Sequence, residues 1–197
     1  MNALRLCGLT LASLLAARES VAPEGKEGPR PTIEDLEVRE SDDALRVSFG
    51  VEGAFAGEVQ ERMESGLTVT FSHRVELLAR RALPIVPSRV LARAIVDSTA
   101  RYDSLTRQYY LSRKTTRESS RAMESVEEET SLTTVSRSEA EAEAWLTTLQ
   151  DLLLPAPPPS ATGRRLRVRV RTILGRRYHL GIFPANDSVD AEHVLAP

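Results

Sequence analysis

Residues 101–111 read RYDSLTRQYYL and hold three of the chain's four tyrosines. Upstream, Val90, Ala92, Ala94, Val96, Ala100 and Tyr102 share one parity. Arg93, Asp97, Thr99, Arg101 and Asp103 share the other. Successive side chains on a strand point to opposite faces, so this alternation predicts a strand with one buried and one wet face. Downstream, Tyr109 and Leu111 alternate with Gln108, Tyr110 and Ser112. Between the two runs, Asp103, Ser104, Leu105 and Thr106 are turn material, because Asp and Ser side chains bond the backbone just ahead of them. The stretch therefore predicts an antiparallel hairpin. Tyr102 and Tyr109 face its core, and Tyr110 faces the other way.

Working outward, other runs carry the same period. Leu45, Val47, Phe49 and Val51 alternate with polar residues, and residues 33–39 before them complete a second hairpin across Ser41, Asp42 and Asp43. Val69, Phe71, Val75 and Leu77 share a parity on which His73 also falls, which predicts a hydrogen-bonded core histidine rather than a ligand. Residues 166–174, LRVRVRTIL, alternate cleanly, and Tyr178, Leu180 and Ile182 predict a last strand after a turn at Gly175. Residues 118–136 predict an irregular or edge segment, with a short strand at 131–135. The acid cluster within them predicts a solvated face.

The helical period occurs twice. Phe55, Val59 and Met63 repeat at four-residue spacing, with Gly66 where a helix-terminating glycine belongs. Residues 138–153 predict the longer helix. Ser138 and Glu141 form a capping box, and Trp145 lies on an apolar stripe that should anchor the helix onto the sheet. The expected fold is mainly β with α (α+β): an antiparallel, sandwich-like sheet of about seven or eight strands with two covering helices.

The domain plan follows from composition. Arg5 followed by the apolar residues 6–17 predicts a signal peptide or N-terminal anchor over residues 1–22. Prolines and glycines mark 23–31 as a linker. A single β-rich domain is expected over 32–183, then a loose tail over 184–197. With 197 residues there is room for one ordinary domain plus an export segment. Aromatic residues make up only 5%, so the core must be built mainly from Leu, Val, Ile and Ala.

Most chemistry finds no foothold. The net charge of −2 gives no global attraction to nucleic acid. Cys7 is the only cysteine, so no disulfide framework or cysteine-ligated metal site can form within one chain. The three histidines are scattered, and no phosphate loop, GxSxG elbow or HExxH helix occurs. No catalytic residue, metal or cofactor is expected. The charge feature that stands out is an arginine stripe. Arg167, Arg169 and Arg171 share a strand face able to hold phosphate or carboxylate groups. With Tyr110 they form the candidate ligand or partner surface. Against this stands a plain solvent face in a chain whose only lysines are Lys26 and Lys114.

The order of elements, Gly66-Leu67 entering TFSHRVEL, and the YDSLTRQY motif at 102–109 together resemble the bacterial domain-of-unknown-function 4390 family of exported envelope proteins. The resemblance spans about residues 32–182. It implies an exported, periplasmic or otherwise extracytoplasmic accessory protein beside a membrane sensor kinase, with no catalytic residues to carry over. The expected function is a non-enzymatic binding or accessory module. It has a protein partner at the cell envelope, no nucleic acid, and membrane contact only through the N-terminal segment. A small-molecule or lipid carrier using the concave face of the sheet is the alternative, and a hydrolase the weaker one.

Overall fold

A computed structural model describes residues 30–41, 44–80, 88–121, 124–157, 165–179 and 183–195. The signal or anchor and all but residues 30 and 31 of the linker lie outside them, as do Leu180 and Ile182. Among the described residues, nine strands and two helices follow in chain order. They are β1 (Thr32–Ser41), β2 (Ala44–Glu52), α1 (Glu58–Glu64), β3 (Val69–Ala79), β4 (Arg89–Asp103) and β5 (Gln108–Arg121). After these come β6 (Glu124–Ser136), α2 (Glu139–Thr147), β7 (Thr148–Pro155), β8 (Leu166–His179) and β9 (Phe183–Val194).

Every pairing is antiparallel. A three-stranded sheet runs β1-β2-β7 and a six-stranded sheet runs β6-β5-β4-β3-β8-β9. The architecture is the expected α+β sandwich. Phe71, Val75, Leu77, Val96, Val168 and Val170 bury one face of the large sheet. Leu45, Val47, Phe49, Val51 and Leu154 bury the facing side of the small one. Ala142 and Leu146 of α2 are buried in the same core. The helix-ending glycine also falls where expected. Gly66 has φ 77, its N–H donates to the Met63 carbonyl at 2.9 Å, and Leu67 N–H donates to the Arg62 carbonyl at 3.1 Å. That paired arrangement satisfies two carbonyls left over at the end of α1.

Four local expectations need correction. The long helix over 138–153 stops at Thr147, and residues 148–155 form β7 against β2. The β2 ladder competes for these residues, and side chains meet the last helical carbonyls. Continuing the helix would need the Trp145 and Leu146 carbonyls for amides four residues on. Instead Arg113 donates to the Trp145 carbonyl, and His73 Nε2 lies 2.9 Å from the Leu146 carbonyl. The segment at 118–136, expected to be irregular or an edge, holds the edge strand, but that strand is much longer than 131–135. The segment completes β5 and the 13-residue β6, a register that runs unbroken from Tyr109↔Ser136 to Arg121↔Glu124. The chain does not turn at Gly175: β8 continues to His179 across a register shift between Ile173 and Gly175. The tail is not loose. β9 pairs with β8 along its length, because Val189, Ala191 and His193 alternate with Asp190 and Glu192 to meet the apolar and charged faces of β8.

Candidate functional site

The arginine stripe takes its position from the pleat of β8. Val168, Val170 and Thr172 are buried, so Arg167, Arg169 and Arg171 stand on the opposite, outer face of the large sheet. There they meet carboxylates from β9. Arg169 Nε donates to Glu192 at 2.7 Å, Arg167 donates to Glu192 at 2.9 Å, and Arg171 Nε donates to Asp190 at 2.6 Å. Arg167 also donates to the Ser88 hydroxyl at 2.9 Å. The Arg169 guanidinium holds the Glu192 carboxyl below its usual range, and Asp190 raises the already high pKa of Arg171.

The pairing extends across the sheet. Cross-strand register places Glu192, Arg169, Glu76, Arg93 and Glu118 in one row over five strands. Arg93 closes it with contacts of 3.0 Å to Glu76 and 3.4 Å to Glu118. Alternating signs on directly opposite residues stabilise a sheet face modestly, and each exposed pair contributes little. The stripe is thus ion-paired from the β9 side, whereas on the β3 side only Arg169 has a carboxylate opposite it, and Arg171 stands opposite Arg74. Sequence reasoning missed its β9 partners because those residues were assigned to a tail. The signal that could have found them is the strict alternation in DSVDAEHV.

Tyr110 is not brought to the stripe. It lies on the same outer face but on β5, three places along the sheet order from β8. Its ring is covered by the Arg101 guanidinium, 5.6 Å from the centroid. Its neighbours do as the hairpin pattern predicts. Tyr102 and Tyr109 are directly opposite each other, with ring centroids 4.8 Å apart. Asp103 accepts from the Leu105 and Thr106 amides in the turn, and these bonds lower its carboxyl pKa.

A second arrangement, unread in the sequence, joins the two sheets. Arg113 reaches inward from β5 and donates to Ser98 Oγ at 3.1 Å and to the Trp145 and Thr148 carbonyls. Its guanidinium lies 4.4 Å from the Trp145 ring centroid, while the indole N–H donates to the Ser112 carbonyl at 3.1 Å. The polar contact continues four residues along β5 at Arg117, whose Nε donates to the Leu153 carbonyl at 3.1 Å. These arginines therefore satisfy backbone carbonyls along β7, the end strand of the small sheet.

Among the described residues, two hollows on the surface stand out. One of about 590 Å³ lies along β1, β2 and the α2–β7 junction and presents Glu34, Asp35, Glu37, Glu52 and Glu143. The other, about 430 Å³, lies between α1, β3 and β8, with Arg62, Thr70 and Ser72 on its walls. Among the described residues, no three His, Cys, Asp or Glu side chains converge to hold a metal ion. Among them, too, no helix is long and apolar enough to cross a membrane.

Comparison with known families adds one decisive match. The family model described as a domain of unknown function, DUF4390, covers residues 29–177. The chain belongs to this family. No curated protein and no solved structure matches it. The DUF4390 match takes in both helices and every strand up to most of β8, so it contains Arg167, Arg169, Arg171 and Tyr110. Asp190 and Glu192, which pair with the stripe, lie beyond it.

Proposed function

We propose that this DUF4390 chain is a non-enzymatic, extracytoplasmic accessory module that binds a protein partner at the cell envelope, with a membrane sensor kinase as the favoured partner. The observation that carries the reading is how the interior is used. The space between the sheets is filled by Leu146, Phe49, Phe71 and the hydrogen-bonded His73, all buried. The larger hollow presents five carboxylates beside the core residues Phe49, Val51 and Leu149, and the smaller one mixes Val59, Val69, Ile173 and Leu174 with Arg62 and three hydroxyl residues. A carrier needs an apolar cavity to hold its cargo, so this arrangement supports recognition at the surface instead. The export pattern of Arg5 and residues 6–17 supports an envelope location.

Two measurements test the reading. Residues 1–26 fused to an export-dependent reporter should send it to the envelope; a cytoplasmic reporter would end the extracytoplasmic assignment. Cross-linking in membranes followed by mass spectrometry should recover a membrane protein in a fixed ratio to the chain. Recovery of a stoichiometric small molecule or lipid instead would favour the carrier.

A further inference from the structure

Four strands end the two sheets, and three of those edges are accompanied. β1 and β9 lie beside each other. β7 has its carbonyls met by Arg113 and Arg117. Among the described residues, β6 pairs with β5 on one side and meets α2 through the Ser136 hydroxyl on Glu141. An unpaired strand edge is a template for another strand, and proteins commonly guard it with charge. β6 is guarded over only part of its length. Glu127, Glu128 and Glu129 stand in one half, whereas residues 130–136, TSLTTVS, carry no charge. That uncharged half also exposes Leu132 (57%) on the inner face and Val135 (48%) on the outer face.

We propose that the β6 edge is an interface with a second copy of this chain, the two β6 strands running antiparallel about a twofold axis at Leu132. A twofold perpendicular to the sheet keeps inner faces together, so only registers pairing residues of like parity are allowed. Centring on Leu132 places that exposed leucine against its own counterpart. Thr130 then falls opposite Thr134, Ser131 opposite Thr133, and Glu129 opposite Val135. Position 127 falls opposite position 137, so the acid run of each copy is set against the uncharged half and Arg137 of the other rather than against its own counterpart. The pairing would join two six-stranded sheets into one continuous sheet with neutral, β-favouring residues at its seam.

The test uses the full chain in detergent. Sedimentation should show a monomer–dimer equilibrium. Leu132→Arg should raise its dissociation constant about tenfold or more, by losing the apolar pair and setting like charges on the axis. Because Leu132 is exposed, the melting temperature of dilute protein should not move. A cysteine scan in a Cys7→Ser background gives a readout independent of that variant. Leu132→Cys should cross-link readily under mild oxidation, since directly opposite strand residues are within disulfide reach. Thr130→Cys should not, because its counterpart in the second copy is Thr134. A chain that sediments as a monomer at every concentration would overturn the proposal. So would equal cross-linking at 130 and 132, or a dimer indifferent to Leu132→Arg. Each of those results would leave the accessory reading standing, because that reading is tested by export and by partner recovery.

Discussion

His73 is where single-residue chemistry decides most. A backbone carbonyl can only accept, so the 2.9 Å contact to Leu146 fixes the proton on Nε2. Nδ1 must then accept from Thr172 Oγ1 at 3.0 Å. Burial, reinforced by the nearby Arg113 charge, lowers the His73 pKa from 6.5 to about 4 despite that carbonyl. Between those values the unfolded chain takes up a proton that the native chain refuses. Stability from this group is therefore whole above about pH 6.5 and falls until about pH 4. The loss should reach about 3 kcal/mol. Urea melts of the wild type and His73→Gln across that window check it: the variant should lose stability at neutral pH and show a flatter pH dependence. The tyrosine pair gives a second prediction. Tyr102 and Tyr109 are half-buried and in ring contact. Each alanine variant should cost about 2 kcal/mol, below the range for fully buried aromatics. Their double-mutant cycle should leave about 1 kcal/mol of coupling. Tyr110→Ala, which loses chiefly the Arg101 contact, should cost about 1 kcal/mol or less. A cycle without coupling would mean that the rings meet without stabilising the hairpin.

The strands that the sequence made legible are those whose burial the chain settles locally. Val69, Phe71, Val75 and Leu77 announce β3 because one face is apolar and the other polar, and the Gly66 end of α1 is written in a single residue. What escaped was decided elsewhere in the fold. Residues 148–155 are rich in leucine and continue the helical stripe of α2. Pairing with β2, a strand distant in sequence, takes them as β7, and His73 and Arg113 meet the last carbonyls of α2 at the junction. β9, and most of the length of β6, escaped for a different reason. As end strands they carry few apolar residues, so hydrophobic periodicity is faint where pairing with one neighbour does the organising. The same logic separated the candidate residues: parity placed Arg167, Arg169 and Arg171 on one face correctly, but it could not supply the acids of β9 or the order that sets Tyr110 apart. Gly66 tests the local kind of information. A Cβ there would meet the Tyr102 carbonyl only at 3.5 Å, an ordinary contact, so the cost of substitution comes from φ 77 alone. Gly66→Ala should cost about 1 kcal/mol and Gly66→Asn less, since Asn tolerates the left-handed region. Equal urea midpoints for all three chains would show that this glycine is not needed to end α1.

The two sheets hold together through an apolar core and, at one side, through arginines of one sheet on the backbone of the other. The core alone explains adhesion but not alignment, because aliphatic side chains impose little direction. Arg113 adds direction: a planar fork that meets Ser98 of β4, the end of α2 and the start of β7 at once, with its face on Trp145. Burial lowers its pKa without discharging it, since an arginine starts so far above neutrality. Removing it leaves the Trp145 carbonyl, a terminal helix acceptor, without that donor. Arg113→Ala should therefore cost about 3 kcal/mol, from lost charged hydrogen bonds and lost stacking together. Arg113→Lys should recover only part of that, because an ammonium cannot reach three acceptors in one plane. Loosening should be local in the lysine variant. Hydrogen exchange at β7 amides should quicken and Trp145 fluorescence shift toward that of a wetter indole, while β3 and β8 amides keep their protection. Uniform quickening across both sheets would instead make Arg113 a general core residue rather than the group that aligns the small sheet on the large one.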